Sequence, residues 1–181
     1  MEYRLTTPCT AEDLAPLKAG DTVLLSGVVY TARDQAHRRM TEALEKGEPL
    51  PFDLTGSAIY YVGPTPERPG QVIGSATSGR MDAMSPRLLD LGNKIMIGKG
   101  KRDDAVKAAV VRNGAVYLAA LGGAGALMAK SVQTLEVIAW PDLGCEAVRR
   151  LIVKDMPLTV ILDAHGGDLY QSGPAAYLEA K

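Results

Sequence analysis

The stretch that most constrains the fold is Thr22–Thr31, which reads TVLLSGVVYT. Its β-branched and apolar residues continue on both faces, a pattern typical of a strand buried inside an α/β sheet. A helix is predicted directly after it, from Asp34 to Lys46, with Asp34 as its N-terminal cap and Gly47 as its end. The pattern therefore puts Arg33 at the carboxyl end of a strand, where open α/β sheets bind their ligands.

The alternation of strands and helices continues along the chain. Thr10–Lys18 predicts at most a short helical turn because Pro16 interrupts it. Leu169-Tyr170 is predicted to be a strand that follows Leu158–Leu162 across a glycine-rich hairpin turn carrying His165. Other apolar or amphipathic runs predict strands at Ala58–Val62, Lys94–Ile97, Ala115–Leu121, Thr134–Ala139 and Arg149–Val153, and helices at Ser85–Leu91 and Arg102–Arg112. Since there is no internal repeat or composition break, residues 1–181 are predicted to form one mixed α/β domain.

A candidate anion-binding loop lies at Val72–Asp82, which reads VIGSATSGRMD. Glycine lets the backbone approach a ligand, while free N–H groups, hydroxyls and an arginine fork recognise a carboxylate or phosphate. The residues that would do this are Gly74, Ser75, Thr77, Ser78 and Arg80. The same composition is common in ordinary surface loops, so both interpretations remain open.

Two other glycine-rich stretches follow predicted strands. Lys99 lies between Gly98 and Gly100, either as part of a flexible turn or as a cation presented to a ligand. Gly122-Gly123 with Gly125 favours close helix packing over an anion site. The spacing lacks the full dinucleotide-binding fingerprint, so a Rossmann site is not predicted.

Composition and charge exclude several classes of function. A net charge of −1, with no basic face interleaved with aromatic residues, argues against nucleic-acid binding. No apolar run reaches the roughly 18 residues of a membrane helix, and the N-terminus does not resemble a secretion signal, so a cytoplasmic protein is expected. Cys9 and Cys145 are too few to hold zinc or an iron–sulfur cluster, and no metal-ligand set is predicted within this chain.

Three basic residues each follow a predicted strand or lie in a glycine-rich loop: Arg33, Arg80 and Lys99. If they converge, they suit a substrate with two carboxylates. The sequence offers no convincing nucleophile–base pair and no paired carboxylates. It therefore predicts a chain that binds a substrate but needs a partner to complete the chemistry.

Several motifs together carry a family resemblance. Their order and spacing resemble the β subunit of the iron–sulfur (class I) fumarate hydratases and L-tartrate dehydratases across nearly the whole chain. The motifs are YTARDQAHRR at Tyr30–Arg39, IYYVGP at Ile59–Pro64, TSGRMD at Thr77–Asp82, MIGKG at Met96–Gly100, GGA at Gly122–Ala124 with AKS at Ala129–Ser131, and the stretch from Asp142-Leu143-Gly144 to Val153-Lys154-Asp155.

The resemblance implies a swivelling three-layer β/β/α domain with mixed sheets. It also implies a partner α subunit, in an α2β2-type assembly, that holds a [4Fe–4S] cluster whose open iron acts as a Lewis acid on the substrate hydroxyl. By the same resemblance, Arg33, Arg80 and Lys99 match positions that bind the substrate carboxylates. Thr77 and Arg80 match catalytic positions, and Ser78 matches the hydroxyl-bearing part of the substrate site. His37 also has a counterpart in the family, for which a structural role is favoured.

One departure from the family pattern affects the loop before Arg80. The family reads G-S-A-G-P-T-T-S-x-R-M-D, whereas here Gly74-Ser75-Ala76 runs directly into Thr77, so that one threonine is absent. Two hypotheses follow. The chain is either the β subunit of a hydro-lyase for a hydroxy-dicarboxylate, with fumarate/malate ahead of tartrate, or a non-catalytic module that binds organic acids.

Overall fold

The structure is a computed structural model that describes residues 1–62, 78–120, 127 and 130–172. Its strands are β1 (Glu2–Thr6), β2 (Thr22–Thr31), β3 (Ala58–Tyr60), β4 (Ile95–Ile97), β5 (Val116–Ala119), β6 (Val132–Ala139) and β7 (Val148–Leu162). Its α-helices are α1 (Ala11–Leu14), α2 (Asp34–Lys46), α3 (Ser85–Asp90), α4 (Asp104–Asn113) and α5 (Leu169–Ser172). Two 3-10 helices cover Ser78–Met81 and Pro141–Glu146. Among these residues, no helix has the length and apolar character that crossing a membrane demands.

The strands form one mixed sheet in the order β1-β2-β3-β4-β5-β7-β6. β2, β3, β4 and β5 run parallel, whereas β7 pairs antiparallel with β5 and also with β2. Because β7 joins both ends of this row, the five strands close into a ring. The mixed pairing agrees with the predicted α/β class, although the expected separate sheets are joined into one here.

Two apolar cores lie on opposite faces of the short parallel strands. One core includes Ala58, Tyr60 and residues of β2, β4, β5 and β7, so it fills the ring. The other includes Ile59, Tyr61 and residues of α2, α3 and α4, so it lies between the strands and the helices. Successive side chains of a strand point to opposite faces, which explains why neighbours on β3 enter different cores. The strand predicted at Thr22–Thr31 is confirmed, but its predicted burial on both faces is wrong, because only one face of β2 is fully covered and the other is partly buried. The short strands β3, β4 and β5 are the ones buried on both faces.

The predicted strand and helix around Arg33 are confirmed, but the predicted cap is wrong. α2 spans Asp34–Lys46 and ends at Gly47 in the left-handed conformation. The N-terminal cap position is Arg33, and its side chain makes no capping hydrogen bond. Instead, the backbone N–H of Gln35 donates to Oε1 of Glu146 at 3.1 Å. Asp34 lies inside the first turn, where its carboxylate is free to pair with another group.

Other boundaries differ from prediction near the C-terminus. Arg149–Val153 and Leu158–Leu162 belong to one continuous strand, β7, because Pro157 lies within it without ending it. Leu169-Tyr170 begins α5, so the predicted hairpin strand is wrong, although Leu162 and Asp168 form an antiparallel bridge. Strand β1 was not predicted. It pairs parallel with β2, and its apolar residues Tyr3 and Leu5 pack against the core inside the ring.

The parallel strands end together at one edge of the sheet. Thr31 of β2 is paired with Tyr60 of β3, Tyr60 with Ile97 of β4, and Ile97 with Leu118 of β5. The chain leaves each strand just beyond these positions. We call this the carboxyl edge, and the candidate site is built on it.

Candidate functional site

Two of the predicted cations follow strands that end at the carboxyl edge, β2 and β4, which have β3 between them. Arg33 lies two residues beyond Thr31, and Lys99 lies two residues beyond Ile97. Arg80 is on the 3-10 helix Ser78–Met81. The backbone N–H of Ser78 donates to the carbonyl of Lys99 at 2.9 Å, which brings that helix to the same edge. Thr77, and the predicted loop before it, lie outside the described residues.

Arg80 forms an ion pair that the sequence did not suggest. Its Nη2 lies 2.6 Å from Oδ2 of Asp34, in the first turn of α2. The Arg80 side chain is 59% exposed, whereas that of Asp34 is 15% exposed. Arg80 therefore stands next to the helix that follows Arg33, and most of its side chain remains exposed.

Ser78 is buried, and its hydroxyl belongs to a chain of hydrogen bonds. The backbone N–H of Lys99 donates to Oγ of Ser78 at 3.0 Å. The hydroxyl of Tyr117 lies 2.7 Å from that Oγ and 2.9 Å from the carbonyl of Gly100. The Tyr117 hydroxyl is the donor in both contacts, so its one proton is shared between Ser78 and Gly100. This bonding holds the 3-10 helix to the Lys99 loop. A contact between the Ser78 hydroxyl and a substrate stays a prediction.

The glycines on either side of Lys99 have separate structural reasons. A Cβ at Gly98 would lie 2.1 Å from Oγ of Ser78 and 2.9 Å from Cδ2 of Tyr61, so only glycine permits this close approach. Gly100 has φ of 88°, in the left-handed region that favours glycine. Both constraints fix the backbone around Lys99. They favour a formed loop over the flexible turn that the sequence left open.

A buried ion pair lies beneath the exposed cations. Nε of Arg102 donates to Oδ1 of Asp82 at 2.6 Å, and the Arg102 side chain is fully buried. Its Nη2 donates to Oγ of Ser85 at 2.8 Å, and the guanidinium lies over the rings of Tyr61 and Tyr117. Sequence reasoning gave Arg102 no role. The available signal was that this arginine lies two residues after the Gly98–Gly100 motif, while Asp82 ends the motif of Arg80.

His37 is fully buried on α2 against Tyr61, with ring centroids 5.2 Å apart. Its Nδ1 lies 2.9 Å from the carbonyl of Arg33, which can only accept, so Nδ1 carries the proton. Burial lowers the pKa of His37 from 6.5 to about 4. The ring is therefore neutral near pH 7 and helps to fix the backbone at Arg33, in agreement with the structural role that the sequence favoured.

The arrangement has the chemistry of an anion-binding rim. Arg33, Arg80 and Lys99 lie at one edge of the sheet, and none of them is as deeply buried as Arg102. Arginine forks and a lysine ammonium donate charge-assisted hydrogen bonds to carboxylate oxygens. Within the described residues, no group of three or more His, Cys, Asp or Glu side chains is placed to hold a metal ion.

Comparison with known proteins places the chain in a family. The profile of the family described as Fumarase C-terminus matches residues 1–173. The L(+)-tartrate dehydratase subunit beta of Escherichia coli K12 is 32% identical over 100% of this chain and 92% of its own length. Fumarate hydratase 2 of Leishmania major is 37% identical over 88% of this chain but only 29% of its own length. The anaerobic class I fumarate hydratase of Escherichia coli K12 is 37% identical over 81% of this chain and 28% of its own.

These matches differ in how much of each relative they cover. The chain spans less than a third of the length of the fumarate hydratases that it matches, yet nearly all of the tartrate dehydratase subunit. The profile match runs from the first residue through β7 and α5. The resemblance inferred from the motifs is confirmed, and the chain belongs to the Fumarase C-terminus family.

Proposed function

We propose that this chain is the β subunit of an iron–sulfur hydro-lyase that adds water to, or removes it from, a hydroxy-dicarboxylate. Fumarate/malate is the first candidate substrate and tartrate the second. The observation that supports the proposal is that Arg33 and Lys99 follow strands ending at the carboxyl edge, to which Arg80 is linked by the Ser78–Lys99 backbone bond and by its pair with Asp34. The membership of the family supports the reaction class, since its relatives are named fumarate hydratases and tartrate dehydratases.

The role of this chain is to bind and orient the substrate carboxylates. Arg33 lies in a backbone held by His37, and Lys99 lies in a loop held by Ser78. Fixing the cations in this way lowers the cost of orienting a flexible dicarboxylate for reaction. Thr77 and Arg80 are the proposed catalytic residues of the chain. The general base is completed by groups of a partner.

The described residues do not fit an iron–sulfur cluster. Cys9 is buried, its Sγ bonds to the carbonyl of Thr6 at 3.4 Å, and burial raises its pKa to about 11, so it is a poor thiolate ligand. Cys145 is exposed and has no second cysteine beside it in the described structure. Class I fumarate hydratases are iron–sulfur enzymes. We infer that a partner α subunit holds the [4Fe–4S] cluster, in an α2β2-type assembly.

We further infer that residues 1–181 form one swivelling domain with three layers, β/β/α. The closed ring of strands around its own core supports the two β layers, and the second core against α2, α3 and α4 supports the helical layer. A domain of this kind presents its carboxyl edge to the partner. The substrate then lies between the cations of this chain and the cluster of the other.

The direct experiment compares the purified chain with its complex. We expect the chain alone to fold but to show no hydratase turnover with L-malate, fumarate or L-tartrate. Anaerobic co-expression with the α subunit should restore turnover. Turnover by the chain alone in metal-free buffer would contradict the need for a partner.

The same complex tests the cation that the proposal depends on. Arg80→Lys keeps the charge but loses the fork. The resulting fall in kcat/KM should correspond to a loss of about 1.5–3 kcal/mol of transition-state binding. The matched control is Arg38→Lys, a change to an exposed arginine of α2 that leaves the carboxyl edge intact. If Arg80→Lys stays within about twofold of the original protein at low and high salt, Arg80 does not bind substrate.

A further inference from the structure

We infer that Asp34 is a positioning residue that orients the guanidinium of Arg80 toward the substrate. The inference rests on the proposed function, because it gives Arg80 the carboxylate-binding role described above. Neither residue is near the other in sequence. Their ion pair joins α2 to the 3-10 helix Ser78–Met81 directly at the carboxyl edge.

The two ends of this ion pair differ in their freedom. Asp34 is largely buried, and it lies on a helix whose start is held by the bond from Gln35 to Glu146 and by the Arg39–Asp142 ion pair. Its location in the first turn of α2 also favours a negative charge. Arg80 reaches out on a long side chain that is mostly exposed. The carboxylate is therefore the fixed partner, and the guanidinium is the group that it orients.

The pair leaves Arg80 able to bind a second carboxylate. A guanidinium has five N–H donors, and the contact to Asp34 uses one nitrogen, Nη2. Nη2 carries two N–H groups, so a single contact to Asp34 leaves its second N–H to form a fork with either Nε or Nη1. In an exposed arginine without a partner, that fork samples many rotamers, and ordering it on binding costs free energy.

The environment of Asp34 shows that the pair is specific. Within the described residues its Oδ1 is buried without a hydrogen-bond partner, and Arg80 is the ion-pair partner of the carboxylate. A carboxylate placed only to stabilise the helix would accept bonds from the free N–H groups of the first turn. That role is filled by Glu146 instead.

The test uses the complex with the α subunit and the isosteric variant Asp34→Asn. We expect kcat/KM for L-malate to fall about tenfold, mainly through a higher KM, because the side-chain fork is no longer oriented. Competitive inhibition by succinate, an unreactive dicarboxylate, should weaken in parallel. Asp34→Glu keeps the charge and should lose less than Asp34→Asn. A loss in Asp34→Glu that equals or exceeds it would overturn the inference.

The matched control is Asp142→Asn, which breaks the exposed ion pair with Arg39 on the same helix and leaves the contact between Asp34 and Arg80 unchanged. It should leave kcat/KM within about twofold, as expected when an exposed pair is removed. If Asp142→Asn loses as much as Asp34→Asn, the effect is a general loosening of α2, and the positioning role is wrong.

A double-mutant cycle with Arg80→Lys separates the possible failures. If Asp34 acts through Arg80, adding Asp34→Asn to Arg80→Lys should cause little further loss. If Asp34→Asn lowers kcat/KM as much in the Arg80→Lys variant as in the original protein, the inference is overturned, while Arg80 remains a substrate ligand. Kinetics of Arg80→Lys like those of the original protein would instead overturn the proposed role of Arg80, and the inference with it.

Discussion

Arg80 and Asp82 lie two residues apart in the chain, and each forms an ion pair. The pair of Arg80 is exposed, whereas the pair of Asp82 is buried. Asp82 pairs with Arg102, whose side chain is fully buried, whereas Arg80 pairs with Asp34 and remains 59% exposed. Both oxygens of Asp82 are used, by Nε of Arg102 at 2.6 Å and by the backbone N–H of Asp103 at 2.8 Å. The buried pair is saturated, while the exposed pair leaves donors free.

This difference separates a structural arginine from a binding one. Arg102 donates hydrogen bonds to Asp82, Ser85 and the sulfur of Met96, and its guanidinium lies over two tyrosine rings. A ligand could therefore bind to it only by disrupting the core. Arg80 stands on the same loop but at its surface. The buried pair fixes the loop, and the fixed loop presents the exposed cation.

The strongest way to break this comparison is to remove the charge of Asp82. Asp82→Asn leaves Arg102 buried and uncompensated, which should destabilise the chain by about 3–5 kcal/mol. The control is Asp90→Asn, because Asp90 pairs with Arg112 where both side chains are about half exposed. That change should cost no more than about 1 kcal/mol. Urea unfolding of the three proteins measures both values.

Equal losses in the two variants would show that burial does not distinguish the pairs. A stable Asp82→Asn would mean that Arg102 is compensated by its tyrosine and hydroxyl neighbours alone. In that case the loop that carries Arg80 would owe its position to the Ser78 bonds rather than to the ion pair.

The sequence predicted the parts of this site that depend on local pattern. β2, α2 and Gly47 follow from apolar runs and a glycine stop, and Arg33 and Lys99 follow from their places after strands. The pairs Asp34–Arg80 and Asp82–Arg102 join residues that lie far apart in sequence, so they depend on how the strands are ordered. A single sequence does not contain that order, so it gives no sign that Asp34 pairs with Arg80.

The glycine motif gives a second example of the same limit. The sequence showed that Lys99 is held between glycines, but not why. The reason for Gly98 is the approach of Ser78, which comes from a different part of the chain. In the same way, the apolar residues of Leu169-Tyr170 predict a strand, although the chain forms a helix there.

The pH dependence of stability tests the buried part of the site through His37. Burial lowers the pKa of His37 to about 4, with the charge of Arg102 acting in the same direction. The unfolded chain binds this proton near pH 6.5, so the stability is complete above that pH and is lost as the pH falls toward 4. The loss should reach about 3 kcal/mol.

His37→Asn removes this titration while keeping a donor near the place of Nδ1. We expect unfolding free energies at about pH 7 and about pH 4.5 to differ less in the variant than in the original protein. Buried or paired carboxylates titrate in both proteins, so the difference between them isolates His37. Identical pH dependence in the two would mean that His37 is protonated inside the fold.

The smallest expected change in free energy concerns Lys99, and it tests the exposed side alone. Lys99→Ala should lower kcat/KM in the complex, because a charge-assisted bond to a substrate carboxylate is lost. The fall should correspond to about 1.5–3 kcal/mol of transition-state binding. Only the side chain is removed, and the backbone bonds between Lys99 and Ser78 remain, so the melting temperature should not change.

Lys101→Ala is the matched control, since Lys101 lies in the same loop but lines a cavity with Lys107 and Tyr170 on the far side of Gly100. If the two variants lose activity equally, and high salt abolishes both losses, the loop acts through its general charge. If Lys99→Ala alone loses activity at every salt concentration, the exposed cation binds the substrate directly, as its contrast with the buried Arg102 implies.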